Sequence, residues 1–307
     1  MMNIIEYKMS TSCRAERPSL AETSHTEQAL PDSPRHHDAP SLHRPLHDQH
    51  QQRRSRMPIK TTAPLALAAA LFAAQGASAA VYSTTKVEAL YGWDYEDTAD
   101  AGFGIDNAEH AIFTVANATG WTYGDSFFFA DFTNLDQGSA SEQDHGSTHA
   151  EWNLRGNIGK VTGLDLSIGP LTGLYLTGQM DIDRNASVRK TTHMAGLSAD
   201  VAMPGFDFFK VYALYRDDET AEGSAMQYTA AWNAPFRLGG ADFSFEGFID
   251  VITEEGDLAA QVLTQPQLVW HATEHLGVGL EYQYWENKFG LEHTDESLPQ
   301  AMIRWTF

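Results

Sequence analysis

Apolar and polar residues alternate in short runs through most of the chain. In Gln300-Ala301-Met302-Ile303-Arg304-Trp305-Thr306-Phe307, one face carries Ala301, Ile303, Trp305 and Phe307 while the other carries Gln300, Met302, Arg304 and Thr306. Val278, Leu280, Tyr282 and Tyr284 alternate in the same way with Gly279, Glu281, Gln283 and Trp285. So do Met226, Tyr228, Ala230 and Trp232 with Gln227, Thr229, Ala231 and Asn233. A period of two is the mark of strands whose two faces meet different surroundings. About twelve such segments are predicted, near 86–93, 109–118, 126–134, 150–157, 174–181, 192–201, 208–216, 225–233, 243–253, 262–271, 278–286 and 299–307.

A soluble sandwich also alternates, so three further features decide between it and a membrane barrel. Aromatic residues sit near segment ends (Tyr91 and Trp93, Trp121 and Tyr123, Phe206 and Phe209, Tyr284 and Trp285), where a barrel places its interfacial girdles. Short turns such as 120–124, 203–207, 235–240 and 272–275 alternate with acidic stretches around 94–106, 136–144, 181–190, 217–222, 254–257 and 292–296. Short turns on one side and longer polar loops on the other are the barrel pattern. The last predicted strand, moreover, ends on the aromatic Phe307. The expected fold is all-β: a transmembrane antiparallel β-barrel of about twelve strands, closed because lipid tolerates no unpaired backbone edge.

Upstream of the barrel the pattern changes. Met57-Pro58-Ile59-Lys60, the apolar stretch from Ala63 to Ala74 and the small residues of Ala77-Ser78-Ala79-Ala80 read as a cleaved secretory signal peptide over 57–80. Its twelve-residue apolar centre is shorter than the roughly 20 residues of a spanning helix. Residues 1–56 are rich in His, Pro, Gln, Ser and Arg and carry little to bury, so they read as a disordered or over-extended segment, with Met57 as the expected start. Their histidines (His25, His36, His37, His43, His47 and His50) are irregularly spaced and suggest no metal site. The mature domain is therefore expected over 81–307.

The only cysteine, Cys13, precedes that domain, which suits passage through an oxidising compartment and removes any thiolate site. Residues 81–307 carry 34 acidic and 11 basic residues, a net charge of −23. Such a field argues against a nucleic-acid partner and leaves neutral or cationic solutes open.

With apolar positions outward, the segments send polar and aromatic side chains inward. These are Lys86 and Glu88, Phe129 and Asp131, Glu151 and Arg155, Tyr175 and Gln179, and Lys210, Tyr212 and Arg216. Further round are Glu246 and Asp250, Gln265 and Gln267, Glu281, Gln283 and Trp285, and Arg304. All except Lys86, Glu151, Arg155, Lys210 and Gln265 are candidate solute-binding residues. Charges at membrane depth are costly unless they face water or one another. They either pair to fill the barrel, or line a narrow channel whose rings stack on a flat solute while carboxylates and amides take its hydroxyls and ring nitrogens. The second arrangement suits a nucleoside.

Catalytic and metal constellations are weak. Asp144-His145-Gly146-Ser147-Thr148-His149 holds the residue types of a barrel lipase but falls in an expected loop. The i, i+4 pairs His145/His149 and His271/His275 have a helical spacing in a strand-and-turn context, so no metal and no cofactor is expected. Gly102-Phe103-Gly104 and Gly239-Gly240 read as turns, and the Asn185-Ala186-Ser187 sequon carries little meaning in a bacterium.

Several ordered blocks carry a resemblance. They are the run Ala118-Thr119-Gly120-Trp121-Thr122-Tyr123-Gly124-Asp125-Ser126-Phe127-Phe128-Phe129-Ala130-Asp131, then Pro204-Gly205-Phe206-Asp207-Phe208-Phe209, Phe248-Ile249-Asp250, Gln265-Pro266-Gln267-Leu268, and Gly279-Leu280-Glu281-Tyr282-Gln283-Tyr284-Trp285-Glu286-Asn287-Lys288-Phe289-Gly290. Over 86–307 the chain resembles the Tsx-type nucleoside-specific channels and their OmpK relatives. The resemblance implies a monomeric, twelve-stranded channel in a Gram-negative outer membrane, in contact with lipid and lipopolysaccharide. It also implies passive uptake of nucleosides and external loops that serve phage or colicin as receptors. Relatives often carry an acidic residue and a histidine where this chain has Ala116 and Asn117. The other readings are a closed structural barrel acting as a surface receptor and, less favoured, an outer-membrane barrel lipase.

Overall fold

A computed structural model describes residues 80–97, 105–134, 146–184 and 189–307. The expected leader over 57–80 lies, apart from Ala80, outside the described residues, as do the segment 1–56, Cys13, His145, Gly102-Phe103-Gly104 and Asn185-Ala186-Ser187.

Thirteen strands form one antiparallel sheet. They are β1 (Tyr82–Asp97), β2 (Ile105–Trp121), β3 (Gly124–Thr133), β4 (Ser147–Asn157), β5 (Leu171–Arg184), β6 (Arg189–Val201) and β7 (Phe208–Asp218). After these come β8 (Ala225–Leu238), β9 (Ala241–Ile252), β10 (Gln261–Thr264), β11 (Gln267–His271), β12 (Leu276–Glu286) and β13 (Glu296–Thr306). Consecutive strands pair from β1 to β10 and from β11 to β13, and β13 returns to β1 through Lys86↔Thr306 to Gly92↔Gln300, so the sheet closes. β10 and β11 share one position between β9 and β12. The wall therefore counts twelve strands, the even number of a bacterial membrane barrel. No helix among the described residues is long and apolar enough to cross a membrane; the crossing elements are strands.

The segment predicted over 262–271 is interrupted at Gln265-Pro266 because Pro266 has no N–H to give the ladder. Its carbonyl still accepts from Tyr282 N at 2.9 Å. Most other strands run longer than predicted. β5 continues to Arg184 and β4 begins at Ser147, so residues expected in acidic loops belong to the wall.

Turn chemistry separates the two ends. Leu238↔Ala241 closes a two-residue hairpin on Gly239 and Gly240, both at positive φ (59° and 85°), as a primed turn demands. On the same end, the β4–β5 connection holds an unpredicted helix α1 (Ile158–Thr162), capped by Asn157, whose side chain accepts from Lys160 N at 2.8 Å. Beyond it Asp165 accepts from the Ser167 backbone N–H at 3.0 Å, which holds its carboxyl below the usual range.

The two faces are sorted as the alternation requires. Leu280, Ile303 and Trp305 are exposed outward, while Gln300, Met302 and Arg304 are buried inward. Outward Tyr91, Trp93, Tyr215, Tyr228 and Tyr284 lie toward the long-connection end, and Phe236, Trp270, Trp305 and Phe307 toward the short-turn end, as two girdles. Trp285, grouped with the girdle residues but also placed on the inward face by the alternation, points inward and is buried.

Ile303 pairs with Ala89 and Val278, both also outward. Ile303→Lys is expected to cost about 2 to 4 kcal/mol and to impair assembly, because it sets a charge near the bilayer centre. Gln283→Lys, inward among acceptors, should assemble normally. Heat-modifiable gel migration of the two variants checks this, and equal behaviour would contradict the facing.

Candidate solute pathway through the barrel

The fourteen candidate solute-binding residues lie on the inward face: each either shares strand parity with a buried inward residue or, as Phe129 and Asp131 do with Ala116 and Thr114, pairs with one across the ladder. Two arginines organise the short-turn half. Arg155 on β4 is fully buried. It makes a bidentate contact with Asp125 (2.9 and 2.6 Å) and reaches Asp200 at 2.9 Å. Its guanidinium lies 4.0 Å from the Tyr175 ring centroid and 5.6 Å from that of Tyr212. Tyr175 donates to Asp200, and Lys210 stands 3.4 Å from Asp125.

Arg304 on β13 gathers the other wall. Its guanidinium binds Glu88 of β1 at 2.5 Å, Glu246 of β9, and Gln267 of β11 at 2.5 Å. Lys86 adds a 3.4 Å contact to Glu246. One side chain thus spans non-adjacent strands. Above it Glu281 accepts from Gln267 (2.6 Å), Gln300 (2.8 Å) and Gln265 (3.3 Å), and Gln265 also donates to Gln283 at 2.6 Å.

Carboxylates stand on facing walls of the lumen: Glu281 on β12 and Asp250 on β9 on one side, Asp131 on β3 and Glu151 on β4 on the other. Asp131 accepts from Thr114 at 2.5 Å and Asp250 from Thr229. These acids hold neutral donors, so their remaining lone pairs are available to a solute's hydroxyls.

Toward the long-connection end, Gln179 bridges Glu151 (3.1 Å) and Asp181 (3.0 Å). His149 joins Asp183 (2.7 Å) to Glu151 (3.1 Å), and its ring lies 5.6 Å from that of Phe129. Phe127 stands 6.0 Å from Phe129, on the same inward face. Arg216 pairs with Glu255 and with Asp218 at 3.5 Å, and Trp285 packs on Phe289 with ring centroids 4.8 Å apart.

The sequence does not single out His149, Asp181, Asp183, Phe127 or Gln300 as solute-binding candidates; His149 enters it only through the weak lipase and metal constellations. The sequence places the first three wholly or partly in loops, although Asp181 and Asp183 share parity with Gln179. The expected loop position of Ser147 is also corrected: it pairs with Thr133 in the β3–β4 ladder. His271 contacts Ser244 Oγ at 2.9 Å and His275 the Thr306 carbonyl at 2.8 Å. Among the described residues no group of His, Cys, Asp or Glu is arranged to hold a metal ion. At the departure from the family pattern, Ala116 pairs with Phe129 on the inward face, while Asn117 donates outward to Thr85 Oγ1 at 3.0 Å.

Residues 91–306 match the family model of the nucleoside-specific channel-forming protein Tsx. No curated protein matches the chain in sequence. Solved structures resemble it only remotely. The KdgM porin has 4% identity over 72% of this chain and 99% of its own, with a TM-score of 0.42. The NanC porin has 11% identity over 73% and 98%, with a TM-score of 0.42. The translocator domain of autotransporter NalP from Neisseria meningitidis has 10% identity over 80% and 96%, with a TM-score of 0.35.

Proposed function

Because this chain belongs to the Tsx family of channel-forming proteins of the Gram-negative outer membrane, we propose that the solutes it passes are nucleosides. The observation that carries this reading is the mixture on the inward face. Aromatic rings (Phe127, Phe129, Tyr212) stand beside carboxylates (Asp131, Asp250) that accept from the neutral hydroxyls of Thr114 and Thr229. Rings stack on a base, and carboxylates accept ribose hydroxyls.

Transport is passive and needs no covalent step or cofactor. The barrel acts as a monomer in lipid and lipopolysaccharide, and its external loops are the surface open to phage or colicin. Proteoliposomes should swell faster in thymidine than in a sugar alcohol of similar size. Phe129→Ala should reduce that preference several-fold, and equal rates for the two solutes would sink the nucleoside assignment.

The networks centred on Arg304 and Glu281 favour a second reading, since they tie together several strands of the wall. A closed barrel serving as a receptor would show no flux for any solute in the same assay.

A further inference from the structure

The β9–β10 connection (residues 253–260) and the β12–β13 connection (287–295) bend into the mouth of the barrel. Leu258, Phe289 and Leu291 pack with Trp285 in one buried apolar cluster. The two connections are stitched together: Ala259 N donates to the Gly290 carbonyl, and Asn287 Nδ2 to that of Ala260, both at 2.9 Å. Glu255 fastens the first to the wall through Arg216 and the Asp218 N–H, the latter at 2.9 Å.

This strap is held in an unfavourable backbone conformation. Phe289 has φ 63°, and its neighbours Asn287 (48°) and His293 (66°) share the left-handed region. A bulky side chain there is a true outlier, kept only where the surroundings enforce it, and such strain gathers at functional sites.

Beneath the strap lies a chamber of about 70 Å³, with Trp285 and Phe289 on one side and Asp250, Arg216 and Thr192 on the other. Small-molecule sites measure about 300 to 1,000 Å³, so the chamber as closed admits no solute. Yet its polar wall is incomplete. Among the described residues, the Thr192 hydroxyl and Arg216 Nε have no hydrogen-bond partner, although Thr192 is 0% and Arg216 7% exposed. Buried unpartnered polar atoms are rare in native proteins and call for an occupant.

We propose that this chamber is an entry subsite for a solute joining a flat ring to hydroxyl groups, and that Phe289 is the internal stand-in which the ring displaces as the strap lifts. The identity of the solute as a nucleoside rests on the function proposed above. Its base replaces the Phe289 ring against Trp285. Its hydroxyls accept from Thr192 and Arg216 Nε and donate to Asp250.

The test uses the full chain in planar bilayers, reading solute-free conductance and the thymidine concentration that gives half-block. Phe289→Ala should raise conductance and lower the half-block concentration several-fold, because it deletes the competitor. Trp285→Leu should raise that concentration roughly tenfold. Thr192→Val should raise it a few-fold. If Phe289→Ala leaves both quantities unchanged, or weakens block, the proposal is overturned. If Phe289→Ala does not assemble, Phe289→Leu makes the same comparison. Should wild-type current ignore thymidine and adenosine alike, the nucleoside assignment fails. The solute-free conductance of Phe289→Ala then still decides the strap: a rise sustains it and no change removes it.

Discussion

Arg304→Leu is expected to destabilise the barrel by about 3 to 5 kcal/mol, the usual result of removing one partner from a buried charge network. Glu88 and Glu246 are each 7% exposed and both bind this guanidinium. Without it, among the described residues, Glu88 keeps no ion-pair partner and Glu246 keeps Lys86 at 3.4 Å. Urea unfolding in lipid vesicles measures the loss. The triple variant Glu88→Gln, Glu246→Gln, Arg304→Met should recover most of it, because the three buried charges leave together and the remaining Lys86 is 31% exposed to the wet lumen. A wild-type midpoint for Arg304→Leu would mean that water already screens these groups and that the network holds nothing in place.

Gly247→Val is the second large effect. Gly247 has φ 147°, a conformation side chains rarely adopt. A Cβ there would lie 2.5 Å from the Gln265 carbonyl oxygen and 2.8 Å from Pro266 Cα, both backbone atoms that cannot rotate aside. The conformational cost alone is about 1 to 3 kcal/mol. Relieving the clash means pushing the β10–β11 break away from β9, where the ladder already lacks a donor at Pro266. Little or no heat-modifiable barrel should form, whereas Gly178→Ala, with nothing within 4 Å, should assemble normally. Normal assembly of Gly247→Val would contradict the geometry at the break.

The facing of the wall was readable because a period of two has only two phases, and one apolar residue such as Ile303 fixes the phase for its whole strand. Strand ends were less readable. In a barrel with a wet lumen a strand gains nothing from apolar side chains on its inward face, so β5 carries Asp181 and Asp183 through positions that resemble a loop. The break between β10 and β11 was signalled by Pro266, but its partner Gly247 could be recognised only once the register was known. The strap was hidden for another reason. Lys288 and Phe289 follow a clear strand, and nothing local says that the chain turns into the mouth; that depends on Leu258, Trp285 and Glu296, all distant or on other elements. The long-range pairs of Arg304 and Arg155 are likewise products of closure. Sequence identifies the charges that face inward, and the barrel decides which of them meet.

Single-channel recording of the purified chain in planar bilayers tests the nucleoside channel most directly. The expected result is a small conductance that thymidine or adenosine reduces in a concentration-dependent way. A current that neither nucleoside alters, while unrelated solutes of similar size do, would contradict it.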